Sequence, residues 1–199
     1  SYVASLYLAC GNDWCVGREV MNRRKMKGID ASFAVISVED FRRLWEMGFQ
    51  VFVQCLWTGG YAFNYRLHEI AESNLRNARE VGFVTGGYVN ASPWYPASDG
   101  IYEAITNAGS EWPHLSVVAA DVELEGVEES AIRDLCDGLR DLGKRVCVYS
   151  AHWFWAGFLG NPQWEWLKEY GAWNAWYDND PDIDFAAAPW GPWDTVIGE

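Results

Sequence analysis

From residue 28 onward the chain alternates between short apolar runs, rich in β-branched and aromatic residues, and longer stretches whose apolar positions recur at helical spacing. The short runs predict strands at 28–32, 51–56, 84–90, 117–123, 145–150 and 172–178, with 195–198 starting another. The longer stretches predict helices at 38–47, 67–81, 99–108, 127–142 and 163–170. Ser37 with Asp40 three residues later forms a capping-box pattern for the first helix, and Gly48, Gly143 and Gly171 stand where helices should stop. Strand followed by helix, repeated about six times, calls for parallel strands joined by crossover helices. Runs such as Val117-Val118-Ala119-Ala120 are apolar on both faces, as expected of a sheet covered by helices. The fold class expected is α/β, an irregular TIM-like (β/α) barrel of parallel strands.

Two stretches depart from the alternation. Residues 1–27 carry five basic and two acidic side chains, a net of +3, and are set apart as a basic N-terminal extension; residues 28–199 form the barrel domain. With −13 overall, the remainder holds −16. That acidity repels phosphate backbones, so no nucleic-acid partner is expected. Half of the 199 residues are hydrophobic, enough for a packed core. No stretch approaches the roughly 20 apolar residues of a membrane span. The apolar opening segment follows no basic residues and matches a signal peptide poorly.

Cofactor chemistry finds little support. The Gly-x-Gly-x-x-Gly and phosphate-loop patterns are missing. His68, His114 and His152 lack ligand spacing, so no metal and no cofactor is expected. Five cysteines cannot all pair within one chain. Cys55, Cys136 and Cys147 read as buried thiols, while Cys10 and Cys15 are close enough to close a small loop.

In parallel α/β folds, chemistry gathers at the carboxyl ends of the strands. Those ends hold Asp30, Cys55 to Trp57, Tyr88 with Asn90, Asp121 with Glu123, Tyr149, and Tyr177 with Asp178. Acids and aromatics converge there, and no lysine or arginine does. Asp121 and Glu123 are two apart on a strand and so face the same way, about 6.5–7 Å apart at Cα. Crowding and burial would leave one carboxyl protonated beside one ionised, the requirement for cleaving a glycosidic bond. The plainer reading is a strand-end pair that caps the next helix or meets solvent.

The segments Gly28-Ile29-Asp30-Ala31-Ser32, Gly86-Gly87-Tyr88, Asp121-Val122-Glu123, Val148-Tyr149-Ser150 and Trp173-Asn174-Ala175-Trp176-Tyr177 together resemble the glycoside hydrolase family 25 lysozymes. The likeness covers about residues 28–178. It implies an irregular α/β barrel that hydrolyses the N-acetylmuramic acid to N-acetylglucosamine bond of bacterial cell-wall glycan without a metal, in a secreted or phage- or cell-wall-associated setting. By that likeness Glu123 is the general acid, and Asp121 and Asp30 stabilise the reacting sugar. Tyr88, Asn90, Tyr149, Trp153, Tyr177, Asp178 and Trp57 would bind substrate. The family pattern also carries a last acidic residue on a final strand. Residues 195–198 stand where that region begins, so the barrel is expected to be incomplete at its C-terminal end. The basic extension has no place in the pattern.

Rival readings remain. A catalytically silent carbohydrate-binding or structural protein would keep the aromatics without turnover. A chitinase-like Asp-x-Asp-x-Glu site would need an acid where Ala119 stands. Eight of the 13 tryptophans lie in the last 49 residues. Trp164 and Trp166, two apart on a helix, should not share a face. Trp153 and Trp155 follow the 145–150 strand and are the better candidates for sugar stacking.

Overall fold

The computed structural model describes residues 6–8, 26–60, 64–174 and 190–193. Seven strands form one sheet in sequence order: β1 (Leu6–Leu8), β2 (Met26–Ala31), β3 (Phe49–Trp57), β4 (Val84–Asn90), β5 (Val117–Asp121), β6 (Val146–Ser150) and β7 (Gly171–Asn174). β2 to β7 are all parallel and curl into a half-barrel flanked by helices. β1 runs antiparallel to β2, with Leu6 opposite Gly28. Part of the segment set apart by its charge is therefore a strand of the same sheet. The helices are α1 (Val38–Glu46), α2 (Asn64–Val81), α3 (Ala97–Ala108), α4 (Glu129–Asp141) and the short α5 (His152–Gly157).

Local chemistry explains several boundaries. At Ser37 both halves of the capping box form: the Ser37 hydroxyl accepts from the Asp40 amide, and the Asp40 carboxylate accepts from the Ser37 amide. The chain leaves α1 through Gly48 at φ 89° and leaves α4 through Gly143 at φ 76°, conformations that suit glycine. The expected helix at 163–170 is instead a 3₁₀ turn, Glu165–Glu169, and Gly171 opens β7 rather than ending a helix. A second 3₁₀ turn, Gly109–His114, and α5 were not foreseen.

The two faces of the sheet have different fillings. On the outer face Phe52, Leu56, Val118, Ala120, Val122 and Val148 pack with Phe41, Leu75, Ile132, Leu135 and Leu139 of the helices. On the inner face Val51, Val53, Val117, Ala119, Cys147 and Trp173 form a smaller cluster with Tyr88 and Tyr149 at its border. Cys55, Cys136 and Cys147 are buried free thiols, as expected; Cys10 and Cys15 lie outside the described residues.

One buried polar network fixes the chain that follows β2. The Gln54 amide nitrogen donates to the carbonyls of Ala31 and Ser32 at 3.1 and 2.9 Å. Asn74 of α2 donates to Gln54 Oε1 at 2.9 Å and to the Ala34 carbonyl at 2.7 Å, and accepts from the Ile36 amide at 2.9 Å. Buried amides satisfied in this way hold residues 31–36 against the sheet. Ser32, at the rim of the inner face, is placed by this network.

Candidate active site

Strand alternation assigns the inner-face residues. Val118, Ala120 and Val122 belong to the outer core, so Val117, Ala119 and Asp121 point the other way. β5 ends at Asp121, two residues earlier than expected. The Val122 amide still donates to the Tyr149 carbonyl at 2.8 Å, and the Val122 side chain remains in the outer core. The alternation thus carries one step past the strand, leaving Glu123 half-buried on the side of Asp121.

Register places the neighbours. Asn90, Asp121 and Tyr149 are successive cross-strand partners, and Trp173 follows opposite Tyr149. The Asn90 amide hydrogen-bonds the Asp121 carboxylate. The Tyr149 and Trp173 rings meet edge to face at 4.8 Å between centroids. One row deeper, Cys55, Tyr88, Ala119 and Cys147 are partners. Tyr88 Oη lies 2.7 Å from Ser32 Oγ, and its ring end also engages the Cys55 thiol.

The electrostatics are those of crowded acids. Asp121 is 5% exposed. Burial pushes its carboxyl well above the usual range, the Glu123 and Asp30 charges add to this, and the Asn90 hydrogen bond opposes it. Glu123 is also raised, by burial and then by the charge of Asp30. Asp30 is raised by burial, against which its own backbone hydrogen bond works. Asp30 therefore reaches the other two electrostatically although it sits three strands away, a consequence of the sheet's curl. The Asp121 oxygen Oδ1 is buried with no hydrogen-bond partner among the described residues. Each of the three carboxyls so placed makes ionisation of the others harder. The Tyr88 phenol is likewise pushed well above its ordinary value, chiefly by burial, and Cys55 to about 12. Both stay protonated and serve as neutral hydrogen-bonding groups.

Asp30, Tyr88, Asn90, Asp121, Glu123 and Tyr149 thus come together on one face of the sheet. Trp57 does not join them. The register of β3 against β4 shifts between Cys55 and Trp57, so the two-residue alternation fails there. Trp57 turns into the outer core at 3% exposure, against Gly100 of α3 and edge-on to Tyr95 at 6.1 Å. Trp153 is 60% exposed on α5, with its ring edge-on to Phe154 and Phe158. Its described ring contacts belong to α5 and not to the carboxylates. Tyr177 and Asp178 lie outside the described residues.

The tryptophans around Trp155 pack against one another. Trp155, expected to be free for stacking, is fully buried; its ring meets Trp164, Trp190 and Trp193, and its indole N–H donates to the Pro162 carbonyl at 3.1 Å. Trp164 and Trp166 do share a face, stacked at 6.1 Å with a 14° interplanar angle. Trp164 is the extended residue before a 3₁₀ turn, so α-helical spacing does not govern the pair. Ser32 is not among the expected site residues, yet it is the Tyr88 partner; its position on the motif Gly28-Ile29-Asp30-Ala31-Ser32 is the signal that could have found it.

Among the described residues no group of three His, Cys, Asp or Glu is arranged to hold a metal ion. No helix among them is long and apolar enough to cross a membrane. No family model matches the chain, and no curated protein is significantly similar to it. The chemistry of the site has therefore to be argued from its own geometry.

Proposed function

We propose that this chain is a glycoside hydrolase of the family 25 lysozyme type, built on a TIM-like barrel and acting on the N-acetylmuramic acid to N-acetylglucosamine β-1,4 bond of bacterial cell-wall glycan. The observation that carries the reading is the convergence of Asp30, Asp121 and Glu123, all with raised proton affinity, on one face of a curled parallel sheet. Peptidoglycan as the substrate comes from the motif resemblance. A secreted or cell-wall-associated setting goes with that substrate.

Each acid then has a distinct task. Glu123 is the half-buried member, and burial and the Asp30 charge raise its proton affinity, so it is the general acid for the leaving sugar oxygen. Asp30, raised by burial against the pull of its own backbone hydrogen bond, supplies negative charge as a cation develops on the facing sugar ring. Asp121, bonded to Asn90 and adjacent to Glu123, positions the acid and shifts toward its ionised form as that cation appears. Tyr88, tied to Ser32, and Tyr149 line the floor beside them.

The test is turbidity clearing of purified bacterial cell walls, with chitin as the comparison polymer. Glu123→Gln should lower the clearing rate by about 10²-fold or more, the usual worth of a general acid, while the circular dichroism spectrum is kept. Unchanged clearing by that variant sinks the assignment. Preference for chitin over cell walls sinks the substrate.

A further inference from the structure

The loops that follow β4 and β5 line a shallow cavity of about 290 Å³, open to solvent, that none of the roles above uses. Its walls are Trp94 and Tyr95 from the β4–α3 connection, with Glu128 and Ala131 from the start of α4. Trp94 and Tyr95 are 57% and 47% exposed, an unusual investment of two large rings in solvent. The volume is at the low end of the roughly 300–1,000 Å³ typical of small-ligand sites, room for about one ring-sized group.

The pair of rings is held rather than loose. The Ser92 hydroxyl accepts from the amides of Trp94 and Tyr95 at 3.1 and 3.3 Å and donates to the Gly59 carbonyl at 2.8 Å. Pro93 and Pro96 bracket the pair and stiffen its backbone. Tyr95 also rests on Gly60, where a Cβ would lie 2.2 Å from its ring, so only glycine admits the ring there. Opposite, Glu128 precedes α4 without capping it by its side chain.

The cavity lies in the loops that follow the strand ends carrying Asn90 and Asp121. Asn90, the partner of Asp121, immediately precedes this loop, and the Ala91 amide donates to the Asp121 carbonyl at 2.8 Å. Glu123 lies five residues before Glu128 on the facing connection. The Gly59 backbone is wedged between Leu124 and Asn90, joining the loops after β3, β4 and β5 into one rim.

We propose that this cavity is a saccharide subsite on the same rim of the sheet as the carboxylates, with Trp94 and Tyr95 offering ring faces to a sugar and Glu128 accepting hydrogen bonds from its hydroxyl or amide groups. The identity of the polymer rests on the hydrolase reading; the subsite itself rests on the cavity. Flat apolar faces match the C–H faces of a pyranose, and an acceptor-only carboxylate matches a donor-rich rim. The cavity's place on the same rim as acids suited to a glycosidic bond favours a sugar over an amine-bearing peptide, which the experiment separates.

The test uses the full chain carrying Glu123→Gln, titrated with β-1,4-linked N-acetylglucosamine hexamer and with soluble uncrosslinked peptidoglycan strands, followed by calorimetry and tryptophan fluorescence. Adding Trp94→Ala should weaken binding roughly 3- to 10-fold, the scale of one lost aromatic contact. Trp94→Phe should restore most of it, and Tyr102→Ala, an exposed aromatic on α3 outside the cavity, should change nothing. In the active protein Trp94→Ala should raise KM for cell walls more than it lowers kcat. Unchanged affinity and KM in Trp94→Ala overturn the subsite, as does displacement of the hexamer by a lysine peptide at lower concentration than by free sugar. Trp94-dependent glycan binding without turnover in the unmutated protein would uphold the subsite and sink the hydrolase reading. Turnover without Trp94 dependence would do the reverse.

Discussion

Replacing Asp121 with asparagine should make the protein more stable and less active, and the stability gain should depend on pH in a definite sense. Asp121 is buried, one of its oxygens has no hydrogen-bond partner among the described residues, and its carboxyl is raised by burial and by the Glu123 and Asp30 charges. Asparagine keeps the shape and an oxygen for the Asn90 amide, but it carries no charge at any pH. Asparagine leaves an unpartnered polar group in the same place, so what it removes is the extra cost of a buried charge, taken as about 1–3 kcal/mol. At about 2–4 °C per kcal/mol for a chain of this size, removing that charge raises Tm by roughly 2–12 °C. The sign follows from linkage. A carboxyl whose folded-state pKa lies above its unfolded value binds more protons when folded, so the native state loses stability as pH rises through the folded value. Below the unfolded value, near 4, that penalty vanishes because both states are protonated. The Tm difference between Asp121→Asn and the unmutated protein should therefore be largest at pH 7 to 8 and shrink toward pH 4. Thermal melts followed by circular dichroism across that range measure it, with cell-wall clearing recorded in parallel. A variant that is less stable at pH 7, or a Tm difference independent of pH, would refute the account of a strained acid cluster.

Two further outcomes follow from particular contacts. Asp30→Asn removes the charge that helps raise Glu123, so the alkaline limb of the clearing-rate profile should move to lower pH; a limb that stays in place shows that Asp30 does not act on the acid. Trp155→Ala empties the centre of the C-terminal tryptophan cluster and strands the Pro162 carbonyl, which should cost about 3–5 kcal/mol in denaturant unfolding. A loss below about 1 kcal/mol would mean that Trp155 is not a core residue.

The local signals were sufficient where the physics is local. Ser37 and Asp40 are three residues apart, and the box they form needs nothing beyond that spacing. Gly48 and Gly143 end their helices because a positive φ is a property of one residue. The parallel strands were legible from their two-sided apolar runs, and Asp121 and Glu123 from the alternation of a strand. Those features hold whatever the rest of the chain does.

Other features depend on partners distant in sequence. Trp57 obeys the same alternation on paper, yet a register shift against β4 sends it into the outer core, because the strand it pairs with decides its face. Trp155 and Trp153 are two apart in similar surroundings; only the arrival of Trp190 and Trp193 separates a buried ring from an exposed one. Trp164 and Trp166 stack because a 3₁₀ turn replaced the expected helix. Asp30 bears on Glu123 because the sheet curls, and no spacing along the chain encodes curl. By itself the sequence determined which residues could be acids at strand ends. The tertiary structure decided which of them share a buried volume, since proton affinity is set by desolvation and neighbouring charge rather than by residue type.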